Sequence, residues 1–108
     1  MEFVNIIAII RSEVLERVEK KLRAVAAPGL TVSPIRGYGE YADLYKDDWL
    51  VDQIRLEVFA EAKRAEELAE AIMEAAHTGI EGDGIVAVVP VRHLYHIRTR
   101  QQCSEKPC

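Results

Sequence analysis

The order of hydrophobic patterns along this chain is strand, helix, strand, strand, helix, strand, and this order narrows the fold further than any single motif does. The first strand, Phe3–Ile10, is apolar at almost every position, which is typical of a central strand covered on both faces. The two halves of the order repeat by pattern, not by identity, with an offset of about fifty residues. The sequence therefore predicts a single α+β domain built from two similar strand–helix–strand units.

Capping and breaking residues set the predicted boundaries. Ser12 can cap the first helix and Pro28-Gly29 ends it, Pro34 points to an edge strand or a bulge, and Gly79 suits the end of the second helix. The predicted elements are a strand over Phe3–Ile10, a helix between Ser12 and Pro28, a strand from Leu30 to Gly37, an exposed loop over 40–50, a strand over Val51–Phe59, a helix over Ala60–His77, a strand over Ile85–Val89, a short strand within His93–Thr99 and a tail over Gln101–Cys108. This is the ferredoxin-like βαββαβ plan, an antiparallel sheet with two helices on one face.

Size and charge exclude several classes of function. The 108 residues fit one domain, and a formal charge of -4 argues against general binding to nucleic-acid phosphates, which needs clustered cations. No apolar run approaches the length of a membrane span, and the start lacks the basic front of a secretory signal, so a cytoplasmic protein is expected. Because the first strand is apolar on both faces while the helices cover one, we expect the other face to be buried against another subunit.

A glycine-rich run, Gly79–Gly84, is the strongest local motif. Closely spaced glycines let backbone N–H groups converge on a phosphate without obstruction by Cβ atoms. The run follows a helix, so it is not a Walker-type loop, and a simple turn between helix and strand is the alternative. Gly37 and Gly39 form a second such corner, and Arg92, Arg98 and Arg100 supply cations late in the chain. Together these features suggest an anion site.

Other candidate chemistry is less well supported. His93 and His96 are three residues apart on a predicted strand and so point to opposite faces, which does not favour a shared metal. The cysteines, Cys103 and Cys108, can form a redox-responsive disulfide or remain two idle thiols, and the sequence leaves this open. No serine lies in an evident catalytic motif, so no enzymatic activity is expected.

Several segments resemble the PII signalling family. The matching segments are the opening strand Val4–Arg11, Gly29–Val32, Gly37-Tyr38-Gly39 at the entrance to the family's T-loop, Ile54–Val58 at its exit, Thr78–Gly84 in the B-loop, and Ile97-Arg98-Thr99 near the C-terminus. The resemblance implies a domain over residues 1–99, with a T-loop at about 38–52 and a B-loop at about 78–85, followed by a tail over 100–108 that holds the cysteine pair.

What the resemblance implies is a homotrimeric regulator with an adenine nucleotide in each cleft between subunits and a T-loop that contacts a partner protein. Gly37 and Gly39 would approach the phosphates and Arg98 would bond to them. The remaining implied nucleotide residues are Gly82, Asp83 and Gly84 around ribose and phosphates, and Thr31, Glu57 and Phe59 near the adenine.

Departures from the family pattern refine this expectation. Three family cations are replaced, by Gln53, Ile85 and His96, and the T-loop is short, so ADP or AMP is expected ahead of ATP. A short T-loop and a terminal cysteine pair resemble the PII-like proteins of inorganic-carbon metabolism, which implies bicarbonate as an effector and a bicarbonate transporter or carboxysome component as partner. The alternatives are a nitrogen-regulatory PII protein, a trimeric metal-binding protein of the CutA type, which has the same fold, and a small enzyme that hydrolyses nucleotide.

Overall fold

The computed structural model describes residues 2–38 and 50–104. Most of the predicted loop over 40–50, together with Gly39 and Cys108, lies outside these described residues. The elements in chain order are β1 (Phe3–Ile10), α1 (Leu15–Ala24), β2 (Thr31–Gly37), β3 (Val51–Glu61), α2 (Ala65–Ala76), β4 (Gly84–Val91), β5 (Tyr95–His96) and β6 (Gln101–Gln102), with short 3₁₀ turns over Ser12–Val14 and Ala62–Arg64.

The four long strands form one sheet in the order β2-β3-β1-β4, and each neighbouring pair is antiparallel. Two strand–helix–strand units interleaved in this way give the predicted ferredoxin-like βαββαβ fold, which is confirmed. The prediction from Pro34 is also confirmed, because β2 is an edge strand. The central position of β1 explains why its sequence is apolar at almost every position.

The hydrophobic core lies between the helices and one face of the sheet. Alternate residues of β1 and β3 point into it, and so do the stripes of the two helices. The largest fully buried side chains are those of Ile6, Ile10, Val18, Leu22, Leu56, Val58, Leu68 and Ile72. The intervening residues of the strands face the other side of the sheet, which we call the open face.

Strand pairing overrides helix propensity at residues 60–61. Ala60 and Glu61 were predicted to begin the second helix, but they extend β3, where they lie opposite Val4 and Phe3 of β1. The helix is delayed until Ala65 because the ladder with β1 stabilises an extended backbone that the alanine-rich sequence alone does not favour.

The predicted helix ends also need correction. Ser12 makes no side-chain capping bond, since it begins a 3₁₀ turn and α1 itself starts at Leu15. The first helix ends at Ala24, before the Pro28-Gly29 pair, and Ala26 takes a positive φ of 54°. At the second helix, His77 is the capping residue and Gly79 belongs to the following loop.

The predicted C-terminal tail is partly structured. Gln101–Gln102 pairs with Tyr95–His96 as a small antiparallel hairpin, so only part of the predicted short strand forms. Cys103 follows the hairpin, is 7% exposed and is disulfide-bonded. Its backbone N–H donates to the carbonyl oxygen of Leu94 at 2.8 Å. This hydrogen bond holds the segment after β6 against the residue that precedes β5. Across the described ranges, no helix has the length and hydrophobicity needed to cross a membrane.

Candidate functional site

The glycine loop, residues 78–84, joins α2 to β4 and includes the first residue of that strand. It lies beside the end of β1. Gly84, the first residue of β4, sits directly opposite Ile10, the last residue of β1. Arg11 follows immediately, so its side chain reaches the loop although it is about seventy positions away in sequence. The sheet register therefore brings the glycine-rich motif and an arginine together.

Asp83 is the centre of a hydrogen-bond network within this loop. One carboxylate oxygen accepts the backbone N–H of Thr78 at 2.8 Å and that of Gly79 at 3.0 Å. The other oxygen accepts the Thr78 hydroxyl and the Nε–H of Arg11, the latter at 3.3 Å. The Nη2 group of Arg11 also donates to the carbonyl oxygen of Glu81 at 2.6 Å.

These contacts keep Asp83 ionised. Partial burial raises the pKa of Asp83, but hydrogen bonds from Thr78, Gly79 and Arg11 outweigh it and hold that pKa well below its ordinary value. The Asp83 carboxylate is thus engaged in shaping the loop. The sequence-based expectation that Asp83 lies against ribose and phosphates remains a prediction.

The glycines of the loop have conformations that side chains disfavour. Gly79, Gly82 and Gly84 have φ values of 84°, 103° and 107°. The signs of φ alternate over Glu81–Gly84, and a backbone that changes hand from residue to residue can bring successive N–H groups together around an anion. At Gly84 a Cβ atom would lie 1.8 Å from the carbonyl oxygen of Ile9. Only glycine fits there without movement of the backbone.

A cleft of about 520 Å³ lies beside the loop. Apolar side chains from three elements line it, including Ile10, Met73 and Ile85, and so do Gly79 and Gly84. An apolar wall next to a polar, N–H-rich loop is a combination that suits an amphipathic ligand.

The residues expected near an adenine lie on the open face at the other side of the sheet. Thr31 and Glu57 are directly opposite each other on β2 and β3. Glu57 is ion-paired with Arg55 at 2.7 Å, and Phe59 is 38% exposed. Gly37 ends β2 opposite Val51.

One protomer does not bring these two groups of residues together. Because β3 and β1 lie between β2 and β4, Thr31 and Gly84 are separated across the sheet by three strand spacings, about 14 Å. Arg98 lies in the exposed turn between β5 and β6. The predicted residues therefore fall into a glycine-loop group, a β2–β3 group and an isolated hairpin arginine.

Sequence reasoning missed the role of Arg11. Its partners are Glu81 and Asp83, and nothing local in the sequence marks a contact over such a separation. The useful clue was its place directly after an apolar strand, since an antiparallel neighbour must begin beside the end of that strand.

The three positions where family cations are replaced are also located. Ile85 is exposed at the start of β4, Gln53 is buried in β3, and His96 is in β5. His93 accepts a hydrogen bond from the side-chain amide of Gln102, 3.1 Å between the nitrogens. Within the described ranges, no three His, Cys, Asp or Glu side chains are grouped so that they could hold a metal ion.

Comparison with known proteins identifies the family to which the chain belongs. A family model described as nitrogen regulatory protein P-II matches residues 3–101. The chain is 36% identical over 102 residues to nitrogen regulatory protein P-II of Azospirillum brasilense, covering 88% of this chain and 91% of that protein. It is 37% identical over 102 residues to P-II 1 of Methanothermobacter thermautotrophicus, covering 88% and 89% of the two chains.

The backbone agrees with the sequence. The crystal structure of Arabidopsis thaliana PII bound to citrate superposes with a TM-score of 0.82 at 30% identity, covering 94% of this chain and 89% of that one. The family match and these sequence identities favour the PII assignment over the CutA-type alternative. On this evidence the chain belongs to the PII family of regulatory proteins.

Proposed function

We propose that three copies of this PII-family regulator assemble and that each cleft between two copies binds an adenine nucleotide. The observation that carries the proposal is the glycine-rich loop over Glu81–Gly84, where φ alternates in sign, beside a cleft of about 520 Å³. Backbone N–H groups grouped in this way suit the phosphates of a nucleotide, and the apolar side of the cleft suits its less polar part.

Two features support a site between copies. The glycine loop and the Thr31–Glu57 pair lie at opposite sides of the sheet, so a neighbouring copy is needed to complete one site from both. The open face also carries exposed apolar residues, Phe59, Ile85 and Val89, which a neighbour would cover.

The charge of the site favours a short phosphate chain. Arg98 is the proposed phosphate-binding cation, with Gly37 and Gly39 near the phosphates. The three replaced cations are Gln53, Ile85 and His96, and without them less negative charge is neutralised. ADP or AMP is therefore proposed as the preferred ligand, with ATP as a third candidate. Thr31, Glu57 and Phe59 are assigned to the adenine side.

The T-loop, about residues 38–52, is the proposed contact with a partner protein, and the molecule acts by regulation and not by catalysis in the cytoplasm. The names of its relatives support nitrogen regulation better than the inorganic-carbon role expected from the short T-loop. One observation favours the carbon role as a second candidate. Cys103 is disulfide-bonded, and it belongs to the terminal cysteine pair that, with the short T-loop, prompted the inorganic-carbon reading.

Calorimetric titration with ADP, AMP and ATP tests the proposal. We expect Arg98→Ala to weaken ADP binding by about 1.5–3 kcal/mol, the range for a hydrogen bond to a charged group. Arg92→Ala is the matched control, because Arg92 is also an exposed cation late in the chain. Equal affinity in the Arg98 variant and the wild type would remove Arg98 from the site, and no binding of any of the three nucleotides would refute the proposal.

A second titration separates the two regulatory roles. Bicarbonate that tightens ADP binding would support the inorganic-carbon role. Coupling of nucleotide binding to 2-oxoglutarate, with no response to bicarbonate, would support nitrogen regulation. The coupling must be reciprocal, so each effector is also titrated into the nucleotide-loaded protein.

A further inference from the structure

We propose that Arg11 and Asp83 form a clamp that fixes the glycine loop before ligand arrives, so that only its second half, through the N–H groups of Glu81 and Gly82, donates to phosphate. Both are positioning residues, which act on the ligand through the loop backbone. The inference rests on the proposed nucleotide site and assigns a division of labour within it.

The backbone N–H groups in the first half of the loop, residues 78–80, all form hydrogen bonds within the loop. The N–H groups of Thr78 and Gly79 both donate to Asp83, at 2.8 and 3.0 Å. The N–H of Ile80 donates to the Thr78 hydroxyl oxygen at 3.2 Å. A phosphate could recruit these three donors only by breaking bonds that hold the loop together, which would cost more than it gains.

The second half is oriented through a peptide carbonyl. Arg11 holds the carbonyl oxygen of Glu81 at 2.6 Å. In a trans peptide the carbonyl and the following N–H point in opposite directions, so this bond directs the N–H of Gly82 away from Arg11. The turn over Glu81-Gly82 directs the N–H of Asp83 back toward Ile80. No contact among the described residues occupies the N–H groups of Glu81 or Gly82. These are the donors left for an anion.

The clamp also reduces the negative charge of the loop. A carboxylate within a phosphate-binding loop repels its ligand, and Asp83 is kept ionised by its neighbours. The Arg11 guanidinium, 3.3 Å from that carboxylate, offsets the charge while its Nη2 is held by Glu81. The Asp83 carboxylate then opposes an anion at the loop less than it would without Arg11.

Arg11→Gln tests the clamp, and Arg64→Gln is a matched control. Arg64 likewise donates to backbone carbonyls of a distant segment, Val25 and Ala26, but away from the loop. We expect Arg11→Gln to weaken ADP binding on the order of tenfold or more, while adenosine, which lacks phosphate, binds as to the wild type. A merely structural role would lower both affinities together. Arg64→Gln should leave both unchanged.

Hydrogen exchange of the ligand-free protein provides a readout independent of nucleotide. In Arg11→Gln we expect faster exchange at the amides of Thr78, Gly79 and Ile80, with no change there in Arg64→Gln. Unchanged exchange, unchanged ADP affinity or a parallel loss of adenosine affinity would overturn the inference. If the wild type binds neither ADP nor adenosine, the proposed function fails, and the exchange result alone decides whether the clamp exists.

Discussion

Single residues in this protein are fixed mostly by backbone geometry. Gly84 combines a φ of 107° with a position where a Cβ atom would meet the Ile9 carbonyl oxygen at 1.8 Å. Gly29 has neither restriction, because nothing lies within 4 Å of its would-be Cβ. The two glycines look equivalent in the sequence but have different requirements in the fold.

Gly84→Ala should lower the free energy of unfolding by about 2 kcal/mol or more, since both the φ and the contact with β1 oppose a side chain. Gly29→Ala, the control, should change it by less than about 1 kcal/mol. Urea unfolding followed by circular dichroism measures both. Equal destabilisation of the two variants would contradict this account of Gly84.

At the scale of single residues, the sequence indicates which residue types can form the site but does not indicate which residues contact one another. It identified the glycine run as backbone that can surround an anion, and the structure places Gly82 and Gly84 at positive φ. It did not connect Asp83 with Arg11, because contacts between residues far apart in the chain depend on the sheet register. It also gave no reason to expect that half of the loop donors are used internally.

The ends of helices and strands in this protein are set by hydrogen bonds beyond the element and by residues with a left-handed backbone conformation. Helix α1 closes with a Schellman motif: the N–H of Ala27 donates to the Leu22 carbonyl at 2.9 Å, and the N–H of Ala26 to that of Arg23 at 3.0 Å. Ala26 occupies the left-handed position that glycine normally fills, at φ 54°. The helix therefore stops under local strain, with the Pro28-Gly29 breaker playing no part in its last turn.

Ala26→Gly should stabilise the protein by about 1 kcal/mol, because the strain at positive φ is relieved. Ala24→Gly, two positions earlier and at the last residue of the helix, should be neutral or destabilising by up to about 1 kcal/mol. Thermal or urea unfolding distinguishes the signs. A destabilised Ala26→Gly variant would mean that the helix end is not strained.

Element order was predictable from periodicity and element ends were not. The helical stripe through Val14, Val18 and Leu22 and the continuous apolarity of β1 identified the elements and their layers correctly. The predicted end of β3 and the predicted start of α2 were wrong because pairing with β1 outweighed the helix propensity of Ala60. Short-range patterns carry no information about how far a neighbouring strand reaches.

The whole molecule is defined by the two faces of its sheet. One face holds the core beneath the helices, while the open face presents apolar side chains that the described part of a single copy leaves exposed. Val88 and Val89 are neighbours on β4 with similar exposure, 44% and 41%, but they point to opposite faces. This pair allows the faces to be tested separately.

Val89→Lys should dissociate the proposed trimer, because a charge would be buried on the open face without a partner. Val88→Lys, on the helix side, should leave the assembly intact. Light scattering coupled to size-exclusion chromatography reports the mass. Dissociation by both variants, or by neither, would place the interface elsewhere.

The strand order that sets the glycine loop and the Thr31–Glu57 pair at opposite sides of the sheet has a genetic consequence. In the proposed assembly every copy contributes to two clefts, one through each side. A defective copy mixed with normal ones would thus spoil binding sites that its neighbours build correctly, and such an allele would be dominant. Conversely, two alleles damaged on different sides would complement each other, because mixed rings would contain at least one cleft formed from two intact sides.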